Sequence, residues 1–194
     1  MRFVKGANVF TSSGEKIGSL NRVVIDTKTR DVTDLVVDRG LFNNEKVIPV
    51  GLVDLEKEDR ILLRETNQSV DNFPDYETTH YVPIDEVDDG EGIEMYYWYP
   101  PAGFQLPTGR GPLPGVVPDY VLRTETSIPE GRIAIEQGAQ VISSDEKHIG
   151  NVEQVIADSE SKRVTHFVIG KGFLLKEHKL VPASWVEKEN KAGL

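Results

Sequence analysis

The sequence has no cysteine, and this absence excludes disulfide bonds, thiolate metal sites and a cysteine nucleophile. It also lacks an excess of positive charge, because 22 Lys and Arg face 32 Asp and Glu and the formal net charge is -10. Nucleic-acid binding needs a surplus of basic side chains, so nucleic acid is not expected as a partner. Aliphatic runs such as "LVV" at 35–37 are far shorter than the roughly 18 residues of a membrane-spanning helix.

The N-terminus, "MRFVKGANVF", has a basic start but no uninterrupted apolar core of a secretory signal, which predicts a cytoplasmic protein without membrane insertion. The charge along the chain is uneven. Residues 1–65 carry 11 basic and 11 acidic side chains, residues 132–194 carry 9 and 9, and residues 66–131 carry 2 and 12. The acidic excess therefore belongs to the middle third, which separates two charge-balanced ends.

The two ends repeat each other. "TSSGEKIGSL" begins at residue 11 and "SSDEKHIGNV" at residue 143, and an offset of 132 keeps the match in register over both ends. One inserted residue then changes the offset to 133. Four residue pairs that direct the backbone coincide in this alignment: Gly18 with Gly150, Asp26 with Asp158, Gly40 with Gly172, and Pro49 with Pro182.

Each copy is typical of short strands separated by turns. Gly18 and Gly150 interrupt the first long strand, where a missing side chain permits a bend. Asp26 and Asp158 are expected to end that strand, because their carboxylates can accept the hydrogen bonds of an Asx turn.

The remaining pairs are predicted at reversals. Gly40 and Gly172 permit a positive φ after the next strand, and Pro49 and Pro182, which have no N–H donor, are expected at a strand edge or end. The sequence therefore predicts a mainly β fold with two small barrels or curled sheets in tandem.

The segments "KIGSLNRVVID", "VTDLVVD" and "KVIPVGLVDLE", in this order and with an Asp-led turn after the first, resemble the PRC-barrel family. The resemblance covers residues 1–65 and 132–194. This family is named for the cytoplasmic domain of the photosynthetic reaction centre H subunit and also includes a domain of a ribosome maturation factor. The resemblance implies binding to proteins or ribonucleoproteins and no catalysis.

The repeat predicts a unit at residues 1–66, a connecting segment at 67–131 and a second unit at 132–194. The return strand "ILLR" at 61–64 has no counterpart in the second copy, because Ile61 aligns with Leu194. Residues 119–126 are the nearest look-alike and are predicted to supply that strand. A unit of about 65 residues buries only about 60% of its unfolded surface and is marginally stable alone, so we expect pseudo-twofold packing of the repeats or, as the next choice, a homodimer.

The connecting segment holds nine of the eleven prolines and all six tyrosines. Its aromatic run lies close to carboxylates, a combination that suits contact with a basic protein surface. The alternative is that the aromatics pack onto the barrels and the carboxylates are solvated. The predicted partner-binding residues are Tyr96, Tyr97, Trp98, Tyr99, Asp88, Asp89 and Glu91.

A calcium loop starting at Asp85 fails, because Val87 and Tyr96 would stand where oxygen ligands are required. A looser cation site at Asp85, Asp88, Asp89 and Glu91 stays open. The four histidines are isolated, and no phosphate loop or nucleophile motif is present. We therefore expect no catalytic residue, no metal and no cofactor.

The expected function is a protein-interaction or scaffold module, and the alternative is a sensor of a small ligand or cation that uses the cleft between repeats or the acidic insert.

Overall fold

A computed structural model describes residues 1–4, 6–40, 44–57, 60–83, 120–136, 138–172 and 177–186. The predicted partner-binding residues Tyr96, Tyr97, Trp98, Tyr99, Asp88, Asp89 and Glu91, and the looser cation site with Asp85, lie outside these residues. Helices in the described part are all too short and too polar to cross a membrane.

The described residues are almost entirely strands. In chain order, these are β1 (Arg2–Val4), β2 (Asn8–Phe10), β3 (Lys16–Asp26), β4 (Val32–Asp38), β5 (Lys46–Pro49), β6 (Val53–Lys57), β7 (Arg60–Leu63), β8 (Glu77–Pro83), β9 (Tyr120–Thr126), β10 (Arg132–Glu136), β11 (Gln140–Ile142), β12 (His148–Ala157), β13 (Val164–Lys171) and β14 (Glu177–Pro182). One turn of α-helix, α1 (Asn67–Val70), follows β7. Short 3₁₀-helices, Val50–Leu52 and Ala183–Trp185, follow β5 and β14 at equivalent places of the two repeats.

The strands form three sheets. The first has the order β5-β4-β3-β2-β7-β6, and β10 also pairs with β3. The second has the order β1-β12-β13-β14, and β11 also pairs with β12. Both are curled sheets that do not close into a barrel, and the mainly β fold is confirmed. The third sheet contains β8 and β9 and belongs to a separate compact unit, Thr78–Glu125.

The two repeats exchange their first strands. β1 pairs antiparallel with β12 of the C-terminal repeat, where Phe3 lies opposite Val155. β10 pairs antiparallel with β3 of the N-terminal repeat, where Ile135 lies opposite Val23. The offset of 132 relates these two pairs, so the exchange is symmetric. One hydrophobic core, in which Phe3 is fully buried, contains residues of both repeats.

A pseudo-twofold axis passes between Asp31 and Arg163. The Val32 N–H donates to the Lys162 carbonyl at 2.9 Å, and the Val164 N–H donates to the Arg30 carbonyl at the same distance. The offset of 132 converts each of these hydrogen bonds into the other. Exchange and axis together give two small units a shared core, which a single unit of this size cannot supply.

The predicted role of residues 119–126 was wrong. Tyr120–Thr126 is β9, which pairs with β8 and with no strand of the C-terminal repeat in the described part of the chain. The hydroxyl groups of Thr79 and Thr124 lie 3.0 Å apart in that hairpin. The residues that β9 shares with "RILLRET" favour an extended backbone. This preference does not specify which strand β9 pairs with.

Candidate functional site

The hairpin of β6 and β7 seals one face of the N-terminal repeat. β7 lies parallel to β2, with Ile61 opposite Val9, and Leu63 lies opposite Val53 on β6. The Arg60 guanidinium covers the edge of this face, 4.3 Å from the Phe10 ring centroid. Four side chains of this region are buried: Ala7, Val9, Ile17 and, on β6 itself, Val53.

The described residues of the C-terminal repeat leave the same face without a covering hairpin. In the described part of the chain, β11 pairs only with β12. The equivalents of the four buried side chains are only half-buried, and we call them the β11 face: Ala139, Val141, Ile149 and Val186. The last three pack against the core. Ile142, at the place of Phe10, is 60% exposed at the edge of this face.

The other surface of the first sheet carries a small second core. Val24, Val36 and Val47 are buried there beneath Tyr76. The chain before Tyr76 pairs with the outer edge of β5, since the Val47 N–H donates to the Pro74 carbonyl at 3.0 Å. Burial raises the pKa of the Tyr76 hydroxyl, which agrees with a packed position for this ring.

The C-terminal repeat lacks this cover within the described residues. The sheet registers place Ile156, Val168 and Leu180 at the positions of Val24, Val36 and Val47, and we call these three residues the outer patch. Ile156 and Val168 are half-buried and Leu180 is 59% exposed. Trp185, in the adjoining 3₁₀-helix, is 75% exposed.

Among the described strands, β11 and β14 each pair with one neighbour in the second sheet, and their other edges differ in charge. β14 begins with Glu177, His178 and Lys179, and His178 Nε2 lies 2.8 Å from the Glu153 carboxylate. Charged side chains on an edge strand discourage pairing with another strand. β11 reads Gln140–Ile142 and has no charged residue. Within the described residues, the β11 edge is therefore the one of the two that no charged side chain protects.

A groove of about 550 Å³ lies between the repeats at the pseudo-twofold axis. The Asp26–Arg30 turn forms one wall, and the 3₁₀-helix Ala183–Trp185 forms the other, joined by a hydrogen bond of 3.1 Å from Arg30 Nη1 to the Ala183 carbonyl. No carboxylate is among its lining residues in the described part of the chain. Four basic side chains line it: Lys28, Arg30, Arg163 and His166.

Comparison with the family models shows what these units are. The PRC-barrel domain model matches residues 3–70 and 137–193, together more than half of the chain. The chain belongs to the PRC-barrel family. A comparison with curated proteins gave no match. The matched segments contain the β11 face, the outer patch and both walls of the groove, so these features belong to the PRC-barrel repeats and not to the connecting segment.

Asp26 and Asp158 hold equivalent turns in the two PRC-barrel repeats. Asp26 Oδ1 accepts hydrogen bonds from the N–H groups of Lys28 and Thr29, at 2.8 and 2.9 Å. Asp158 Oδ1 accepts those of Glu160 and Ser161, at 3.0 and 2.8 Å. These bonds favour the ionised carboxylate and lower the pKa of both aspartates. The Asp26 turn ends at Arg30, which lines the groove.

The strand glycines lie where the sheets leave no room for a side chain. A Cβ atom at Gly18 would overlap the carbonyl oxygen of Asp38 on the neighbouring strand. At Gly150 it would lie 2.5 Å from Ile169 Cγ2 and 2.6 Å from the Gly170 carbonyl oxygen. These positions therefore let two strands approach closely at the bend of the sheet.

The other predicted turn residues lie at strand ends. Gly40 and Gly172 have φ values of 94° and 100°, which L side chains rarely adopt. Pro49 and Pro182 are the last residues of β5 and β14, and each precedes a 3₁₀-helix. None of these residues forms part of the exposed apolar surface. Groups of three or more side chains suited to a metal ion do not occur among the described residues.

Sequence reasoning did not identify the β11 face or the outer patch as sites, and it named the cleft between the repeats only as an alternative ligand site, without its lining residues. A signal for the first was present, because the repeat alignment found no match to the strand "ILLR" in the second copy. A signal for the groove was present too: Lys28, Arg163 and His166 align with Glu160, Asp31 and Asp34. Such inversion of charge between repeats marks positions where the two copies have diverged.

Proposed function

We propose that this chain is a non-catalytic protein-interaction module of the cytoplasm whose C-terminal PRC-barrel repeat contacts a protein partner. One observation carries the proposal. The apolar surfaces that the N-terminal repeat covers with β6, β7 and the segment around Tyr76 are uncovered in the C-terminal repeat within the described residues. The large apolar side chains that are exposed in the described part of this repeat include Leu180, on the outer patch, and Trp185.

Contiguous apolar surface on a folded domain is uncommon outside interaction sites. Tryptophan in particular is enriched among the residues that dominate binding energy at protein interfaces. The N-terminal repeat acts as an internal reference, because it has the same family fold and buries the equivalent positions. The two repeats therefore differ in whether the chain itself covers these apolar positions. Such a difference is expected if one repeat serves stability and the other binds a partner.

Site-specific photo-crosslinking tests the proposal. A photoreactive residue at Leu180 or Trp185 should give discrete adducts with one protein in cells, whereas the same residue at Lys16, an exposed position of the N-terminal repeat, should not. The partner, once purified, should bind the Leu180→Asp variant at least about tenfold more weakly than the unmodified chain, since a carboxylate would be buried without a partner. Equal adducts at all three positions would contradict the proposal.

A second candidate function is the sensing of a small anionic ligand in the groove between the repeats. The supporting observation is the lining, which is basic although the chain has a net charge of -10. This lining favours an anion over a cation. A ligand that binds only the folded state raises the melting midpoint. Inorganic phosphate, pyrophosphate and citrate should be compared with chloride at equal ionic strength, and a Lys28→Glu variant, which copies Glu160 of the other repeat, should lose any shift.

A further inference from the structure

We infer that the β11 face is a strand-acceptor site, at which an extended segment of a partner protein pairs with β11 in the parallel direction. This inference rests on the proposed function and specifies how the partner is held. The N-terminal repeat supplies the template, because there the equivalent edge, β2, is paired with β7. The partner segment takes the place that β7 takes in that repeat.

The template fixes the register of the incoming strand. Asn8, Val9 and Phe10 lie opposite Arg60, Ile61 and Leu62. The three corresponding positions of β11 are Gln140, Val141 and Ile142. An incoming strand in the same register therefore places one residue opposite each of them.

The template also fixes the chemistry of the segment. Ile61 and Leu63 are both about 1% exposed, and they stand two residues apart on one side of β7. Alternate residues of a strand face the same side, so these two side chains enter the core while Leu62 between them points away. The partner segment should thus carry two branched aliphatic residues separated by one residue.

The β11 face has space for those two side chains. Val141 and Ile149 are half-buried where Val9 and Ile17 are buried, so their exposed surface is what the two aliphatic groups would cover. Burial of such side chains removes apolar surface from water and favours the complex, against the entropic cost of association. An extended segment also supplies main-chain hydrogen bonds to the free edge, which a helix or a flat surface does not.

The absence of charge selects this edge over β14. Glu177, His178 and Lys179 protect β14, whereas Gln140–Ile142 offers no charge that an incoming strand would have to desolvate. The exposed Leu180 can add contact area at the outer patch, but it lies on the protected strand. Strand addition is therefore expected at β11 and not at β14.

A second copy of this chain is a poor donor. Its own β7 lies between β2 and β6, so donation would require opening a formed sheet. Pairing of β11 with β11 of another copy would place two acceptors together and leave the β11 face without aliphatic side chains from a donor. Of these two donors, a different protein with an exposed or unstructured aliphatic segment is the one that fits the β11 face.

A peptide copied from the chain provides the probe. Residues 60–66, "RILLRET", contain β7 and its natural register. Titration of the full chain with this peptide should show saturable binding, whereas the same peptide with aspartate in place of Ile61 and Leu63 should bind at least about tenfold more weakly. Amide exchange at residues 140–142 should slow on binding, because their free backbone groups become hydrogen-bonded.

Variants of the full chain locate the site. Val141→Asp and Ile142→Lys should each weaken binding about tenfold or more, and Ile142→Lys changes an exposed side chain, so its fold should be retained. Lys179→Asp changes an exposed side chain on the other edge, outside both apolar surfaces, so it is the matched control and should bind the peptide as well as the unmodified chain. Leu180→Asp tests separately whether the peptide binds at the outer patch. Circular dichroism and the melting midpoint verify that each variant is folded.

The outcomes separate this inference from the proposed function. No saturable binding up to millimolar peptide, or binding abolished by Leu180→Asp and unaffected by Ile142→Lys, overturns the strand-acceptor site. A dimer in solution that Ile142→Lys converts to a monomer would overturn it in favour of a second copy. If the peptide fails while crosslinks at Trp185 persist, the interaction function stands and the strand mechanism falls.

Discussion

Asp31 and Arg163 occupy equivalent positions in the two repeats and lie opposite each other, with Arg163 Nε 3.6 Å from Asp31 Oδ1. A pseudo-twofold axis runs between them, so two identical repeats would bring two like charges together at this point. Duplication within one chain has allowed the two positions to diverge into an ion pair. The pair thereby distinguishes the tandem arrangement from a symmetric dimer.

We predict that Arg163→Asp lowers the free energy of unfolding by about 0.5–1 kcal/mol, since it creates like charges at the axis. The double variant Asp31→Arg with Arg163→Asp restores opposite charges and should recover most of that loss. Urea denaturation of the four proteins measures the coupling. A double variant that is less stable than either single variant would show that the pair has no favourable interaction in the reversed arrangement.

The exchanged strands predict effects that cross the repeats. Phe3 is fully buried and belongs to the second sheet through β1, so Phe3→Ala should destabilise the chain by about 3–5 kcal/mol. Amide exchange should accelerate more in β12 and β13 than in β3 and β4. Ile135→Ala is the reciprocal variant and should accelerate exchange mainly in β3 and β4. Faster exchange confined to the repeat that contains each substitution in sequence would refute the exchange.

The exchange of first strands is a feature that the sequence did not predict. The repeat, the long strands and their turns follow from the offset of 132, because matching residues in both copies support the same local structure. The pairing of β1 does not follow. Val23 and Val155 are equivalent and both valine, so Phe3 fits opposite either one, and local pattern cannot distinguish pairing within a repeat from pairing across repeats.

The candidate site was harder to predict for a related reason. Sequence reasoning found no match to the return strand in the second copy and assigned residues 119–126 to that place, whereas β9 pairs with β8. Val141 and Ile149 are half-buried because no strand packs over them in the described part of the chain. An apolar residue in a predicted strand does not indicate whether another strand will cover it. The charges on β14 and their absence on β11 are visible in the sequence. That these two strands lie at sheet edges became known only from the sheet order.

Gly18 and Gly51 provide a test of the close approach of strands. Gly18→Ala should lower the free energy of unfolding by about 2 kcal/mol, because the added methyl group overlaps the Asp38 carbonyl of the neighbouring strand. No atom lies within 4 Å of a Cβ at Gly51, so Gly51→Ala should be nearly neutral. Thermal and urea denaturation compare the two variants. Equal effects at the two positions would mean that Gly18 is not needed for the bend.

The Asx turns predict a defined dependence of stability on pH. Hydrogen bonds from backbone N–H groups lower the pKa of Asp26 and of Asp158 below the unfolded value near 3.8. A carboxylate with a depressed folded pKa stabilises the fold above the unfolded pKa, and the contribution is lost as the pH falls through the folded pKa. Part of the loss of stability on acidification below about pH 4 should therefore originate in these two turns.

The double variant Asp26→Asn with Asp158→Asn isolates this contribution. Asparagine keeps an oxygen that can accept the turn hydrogen bonds, but it has no proton to gain. Between about pH 5 and pH 2, the urea midpoint of the variant should therefore change less than that of the unmodified chain. Glu130→Gln removes an exposed carboxylate outside the turns and serves as the control. If the double variant and the unmodified chain lose stability in parallel over this interval, the turn carboxylates do not contribute to acid unfolding, and other carboxylates must account for it.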